Sequence, residues 1–125
     1  MTDHKEFEKF HNLLMQTAPK GFIPWLFPVK ANGKNPDGFV IARRAPKDFK
    51  EKKGSWKADH ARLSKKEAIE RLKAGGNVGI AARANDTLVI YDRDHPSVKD
   101  KIKTLTTVSR KRIAGHTFAW SDEND

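Results

Sequence analysis

Ser64-Lys65-Lys66-Glu67 constrains the fold of this chain more tightly than any other stretch. A serine three residues ahead of a glutamate is a capping box, in which each side chain satisfies the other's exposed backbone N–H. Ala68, Ile69, Leu72 and Ala74 then supply an apolar stripe at helical spacing, and Gly75-Gly76 ends the helix with residues that tolerate positive φ. The stripe of this helix, 64–74, must be buried. Two short apolar runs follow, Val78 to Ala82 and Thr87 to Tyr91, with Asn85-Asp86 between them. They read as a β-hairpin, a surface for the helix to cover. Trp56, Leu63, Ile69 and Leu72 are expected to pack together against it.

The remainder of the chain fits around that unit. Phe7, Phe10, Leu13 and Leu14 predict a helix over 3–16, stopped by Ala18-Pro19-Lys20-Gly21. Phe22 to Val29 reads as a buried strand, with Pro24 and Pro28 pointing to an edge or a bend. Residues 32–38 are dense in turn formers, Phe39 to Ala42 reads as a short strand, and 43–63 as a basic loop anchored by Trp56. Pro96 is placed to open a short helix through Ile102. Leu105 to Ser109 and His116 to Trp120 alternate as a second hairpin. The fold class is α+β: a small mixed, largely antiparallel sheet flanked by helices.

At 125 residues the chain has the length of one domain, 1–125. It has no Cys, which excludes disulfides, zinc ribbons and thiol catalysis. Its longest apolar stretch falls far short of the ~20 residues that span a bilayer, and its first residues are polar. A cytoplasmic, monomeric domain with no membrane contact is expected. The net charge of +9 is uneven. Residues 43–73 carry twelve basic and five acidic side chains, whereas 74–98 carry two and three. Arg43, Arg44, Lys47, Lys50, Lys52, Lys53 and Lys57 are therefore the candidate DNA contacts, although such a run also simply solvates a loop.

Leu88 to Asp94 is a hydrophobic strand that ends in two acids. Alternation sends Asp92 and Asp94 to one side and Arg93 to the other, with Cα atoms roughly 6.5–7 Å apart. Two carboxylates at that spacing suit Mg²⁺ or Mn²⁺, hard cations that prefer oxygen ligands. A strand running into an Asp-rich turn gives the same string with no metal. Further on, Arg110, Lys111 and Arg112 precede Gly115-His116 in a basic turn. A histidine there can contact phosphate or move a proton, or it can serve the fold alone. The other histidines lack zinc-ligand spacing.

Taken in order, these features resemble the bifunctional primase–polymerase branch of the archaeo-eukaryotic primase superfamily, found in plasmids, viruses and integrated elements. The matching string runs through Gly21 to Pro28, Lys34-Asn35-Pro36, Trp56, the helix leading into Gly75 to Ile80, the Asp92/Asp94 strand and Gly115-His116. It covers roughly residues 19–120. The resemblance implies a primase–polymerase-like catalytic core that takes nucleoside triphosphates and a DNA template or primer. Asp92 and Asp94 would hold the metals, and His116 would contact the incoming triphosphate with Asn77, Arg110, Lys111 and Arg112 nearby. In two respects the chain departs from the pattern. Ala114 stands where the family commonly has Ser or Thr, and a third acidic motif is expected downstream of the His strand. The expectation is thus the N-terminal part of a longer catalytic domain, incomplete at its C-terminus and weak or inactive as a polymerase alone. Two other functions suit the same residues: a non-catalytic nucleotide- or DNA-binding module, and a metal-dependent nuclease.

Overall fold

Helix α1 (His4–Thr17) is followed by strand β1 (Trp25–Val29), helix α2 (Gly38–Arg43), helix α3 (Lys65–Lys73), strand β2 (Asn77–Ala81) and strands β3 (Leu88–Asp92), β4 (Arg110–Ile113) and β5 (His116–Trp120). The structure, a computed structural model, describes residues 4–31, 33, 35–82, 88–92, 110–113 and 116–120. Every strand pairing among these residues is antiparallel. The α+β class holds, but the strands form two sheets where one was expected: β1-β2, and a three-stranded sheet ordered β3-β5-β4. The chain divides into two compact units, residues 1–7 with 24–81 and residues 8–23 with 82–125.

The capped helix forms as the sequence dictates. Ser64 Oγ accepts the Glu67 N–H at 3.1 Å, and Glu67 Oε1 accepts the Ser64 N–H at 3.0 Å. Ala74 caps the other end, and Gly75 follows at φ +92°, a conformation that costs a glycine little. Ala68 and Leu72 are buried, and Ile69 is half-buried. In α1 the stripe is likewise real: Phe7, Phe10 and Leu14 are buried. The helix ends before a turn closed by Phe22 N–H to the Pro19 carbonyl at 3.1 Å, with Gly21 at φ +87°.

Strand β1 begins just after Pro24 and carries the other expected proline, Pro28, in an informative way. Its register with β2 runs from Trp25↔Ala81 to Val29↔Asn77. Leu26 and Pro28 send their backbone groups away from β2: the Leu26 carbonyl accepts Leu63 N–H at 2.8 Å, and the Pro28 carbonyl accepts Asp37 N–H at 2.9 Å. The N–H that Pro28 lacks would also have faced outward, so the β1-β2 ladder loses nothing. Opposite Phe27 stands Gly79, where a Cβ would lie 2.7 Å from the Phe27 ring and 2.8 Å from Val29. The aromatic ring lies over the space that glycine leaves.

Three expectations are corrected here. Residues 78–82 and 87–91 do not form a hairpin: β2 pairs with β1, and β3 pairs with β5. Residues 39–42 belong to a helix. Asp37 caps it by accepting the Val40 N–H at 3.2 Å, and this local bond outweighs the strand preference of Val40 and Ile41. Finally, Trp56 does not join the α3 cluster. It packs on Phe27, with ring centroids 5.5 Å apart, while Pro28 shares a surface pocket with Glu67, Glu70 and Arg71 of α3. Alternation along β1 puts Phe27 and Pro28 on opposite faces, so Trp56 and α3 cover opposite sides of the sheet. The expected helix after Pro96, the strand at 105–109 and the turn at Asn85-Asp86 lie outside the described residues.

Candidate nucleic-acid interface

The basic segment after α2 is built on a polar frame. Arg44 donates from Nε to the His60 carbonyl at 2.7 Å, from Nη1 to Glu67 at 2.9 Å and from Nη2 to the Arg62 carbonyl at 3.1 Å. This guanidinium ties the segment to the capping box. The Ser64 N–H, and next the Arg44 guanidinium, hold the Glu67 carboxyl below its ordinary pKa, against the opposing effect of burial. Nε2 of His60 meets the Lys53 carbonyl at 2.6 Å. A carbonyl only accepts, so Nε2 bears the proton. The His60 ring also stands edge-on to Phe49, 4.8 Å between centroids.

The other candidate DNA contacts differ from Arg44. Lys47, Lys50, Lys52 and Lys53 are exposed, and none has an ion-pair partner among the described residues. Arg43 lies over the Phe39 ring at 5.0 Å, and Lys57 over the Trp56 ring at 5.6 Å. The segment 43–57 thus holds seven cations against two acids, and of those seven only Arg44 is bonded to a carboxylate among the described residues. The loop is ordered by Arg44, His60 and Trp56, and its Lys47, Lys50, Lys52 and Lys53 side chains are exposed.

Sequence reasoning missed Arg71. It donates to the Asn77 carbonyl at 2.7 Å, to the Val29 carbonyl at 2.8 Å and to Asp37 at 3.2 Å, joining α3 to the end of β1, the start of β2 and the cap of α2. Gly76 accommodates it, since a Cβ there would lie 2.7 Å from the Arg71 chain. Asn77, a candidate nucleotide contact, accepts the Val78 N–H at 2.9 Å through its side chain. The only available signal was an arginine in the last turn of a helix ahead of two glycines.

In the second sheet, β3 and β5 are neighbours, and Asp92 stands opposite His116 in the register. Among the described residues β5 is central and β3 lies at an edge. Arg110, Lys111 and Arg112, expected in a turn, belong to strand β4, paired with Ala119, Phe118 and Thr117. Asp94 lies outside the described residues, among which no group of three metal-ligating side chains occurs. No described helix is long and apolar enough to cross a membrane. Comparison of the chain with protein-family models, with curated proteins and with solved structures finds no match.

Proposed function

We propose that this chain is a nucleic-acid-binding domain of the primase–polymerase type, which presents a metal-dependent nucleotidyl-transfer site to a DNA template and nucleoside triphosphates. The observation that carries the proposal is the register Asp92↔His116. Residues that face each other across an antiparallel ladder share one side of the sheet, at Cβ separations of about 4.5–5.5 Å. A carboxylate and an imidazole at one register position form the start of a site for a cation and a triphosphate.

Asp92, with Asp94 two residues on, would hold Mg²⁺ or Mn²⁺, and the oxygen donors suit either ion. When bound, such ions neutralise the triphosphate and favour ionisation of the attacking hydroxyl. The chain's own part is charge and positioning. His116 offers a ring N–H to phosphate, and Arg110, Lys111 and Arg112 bring three cations to the strand beside it. The exposed lysines of 43–57 supply the attraction for the nucleic-acid backbone.

Mn²⁺ binding and binding of a fluorescent nucleoside triphosphate test the site directly. Asp92→Ala should weaken both, and His116→Ala should weaken triphosphate binding while sparing Mn²⁺. If Asp92→Ala leaves both unchanged, the site is wrong. The exposed cations also suit a module that binds DNA without chemistry, and salt-sensitive DNA binding with neither Mn²⁺ nor triphosphate bound would identify that case. Strand scission without triphosphates would identify a nuclease.

A further inference from the structure

Phe39 is 74% exposed, more so than Met15 or Ile23, the other exposed large apolar side chains of the described residues. It sits on the second residue of α2, and Arg43, one helical turn on, stacks its guanidinium on the ring. The ring borders an open surface hollow of about 510 Å³ lined by Gly38, Phe39, Ala42, Arg43, Lys52 and Gly54. That volume lies in the roughly 300–1,000 Å³ range typical of small-ligand pockets. The wall is pre-formed. A Cβ on Gly54 would lie 2.9 Å from the Gly38 carbonyl oxygen, so the two backbones touch and hold the turn bearing Lys52 beside α2.

An open aromatic ring, one guanidinium stacked on it, a lysine among the lining residues and no acid there suit a flat ring attached to an anion. We propose that Phe39, Arg43 and Lys52 form a stacking site for an unpaired base of single-stranded nucleic acid, with the adjoining phosphate on the two cations. Aromatic side chains beside a cationic track bind single strands with little regard to sequence, because every base has a π-face. Paired bases are stacked on one another and cannot reach the ring, so the site selects single strands. The charge balance of 43–57, seven cations to two acids, sets the polyanion as occupant. The inference rests on the nucleic-acid half of the proposed function and not on chemistry at Asp92.

Fluorescence anisotropy with a labelled mixed-sequence oligonucleotide, single-stranded and as a duplex, tests it on the whole chain. Phe39→Ala should weaken single-strand binding roughly 5- to 100-fold and leave duplex binding unchanged. Phe39→Trp should restore it. The salt dependence should survive Phe39→Ala but fall by about one phosphate contact in Lys52→Gln. Since Phe39 is exposed, matched thermal unfolding of the variants confirms an intact fold. Wild-type affinity in Phe39→Ala, or equal loss on single strand and duplex, overturns the stacking site alone. Absence of any nucleic-acid binding by the wild-type chain overturns both this inference and the proposed function. Single-strand binding displaced equally well by a free nucleoside monophosphate would make the occupant a nucleotide, and loss of self-association in Phe39→Ala would make it a second copy; either result overturns the proposal.

Discussion

The stretch from Arg62 to Asn77 and the stretch from Arg43 to Lys57 are both rich in cations, yet the arginines of the first and the lysines of the second are used in opposite ways. In the first, Arg71 reaches two backbone carbonyls and a carboxylate, and Arg62 lies over the Trp25 ring at 5.1 Å. In the second, four lysines are exposed without ion-pair partners among the described residues. Arg44 belongs to the second stretch by sequence and to the first by behaviour. The difference teaches that residue type and burial sort charge better than charge density does. A planar guanidinium can serve several carbonyls at once from a fixed position, whereas a lysine on a flexible stem keeps its hydration until a partner arrives.

The contrast breaks most visibly at Arg71. Arg71→Met would leave Asp37, whose side chain is 21% exposed, and two strand-end carbonyls without their donor. A loss of about 2–4 kcal/mol in urea unfolding is expected, the scale for leaving part-buried polar groups unpaired. Next, Gly79→Ala would push a methyl into Phe27 and Val29, at a cost of about 1–3 kcal/mol for overpacking. Ser64→Ala should cost about 1 kcal/mol by removing one half of the capping box. Smallest in stability terms, Lys50→Gln, Lys52→Gln and Lys53→Gln together should shift unfolding by no more than about 0.5 kcal/mol. The same triple change should weaken DNA binding and flatten its salt dependence, which Arg71→Met should do only by unfolding the chain. Equal effects of both variants on stability would abolish the distinction.

Acid offers a further way to sharpen it. Glu67 has a depressed folded-state pKa, so its ionised form stabilises the fold at and above the ordinary carboxylate range. That contribution is lost as pH falls through the depressed value, because the unfolded chain takes up the proton first. Thermal unfolding of the wild type should therefore decline more steeply in acid than that of Glu67→Gln. The effect should be modest, since the Glu67 side chain is 42% exposed.

Much of the local structure was legible because its signals are local. The capping box needs only residues 64 and 67, and the glycine stop needs only residue 75. The strand positions of Trp25–Val29 and Leu88–Asp92 follow from short apolar runs bounded by turn formers. What the sequence hid was pairing. Asn85-Asp86 between two apolar runs suggests a neighbour, but β2 and β1 are brought together across more than forty residues, for which no local signal exists. The helix at 38–43 was hidden differently. Asp37 lies inside a turn-rich string, and its capping role shows only once its carboxylate is seen holding both Val40 N–H and Arg71. Of the candidate site, the two strands Leu88–Asp92 and His116–Trp120 were readable from alternation, whereas their pairing with each other was not. The roles of Phe39 and Arg71 were not, because exposure and carbonyl partners leave no trace in composition.

The outer margin of β1 has a consequence for how this chain can meet others. Open strand margins are templates on which foreign strands assemble, in aggregation as well as in specific complexes. Along β1 an incoming strand would find the Leu26 carbonyl already accepting from Leu63, the Pro28 carbonyl already accepting from Asp37, and no N–H on Pro28 to offer. The bridges Leu26↔Leu63 and Val29↔Pro36 occupy the same line. A chain growing this sheet would therefore have to approach along β2, since β1 is closed to templated growth by its own loops.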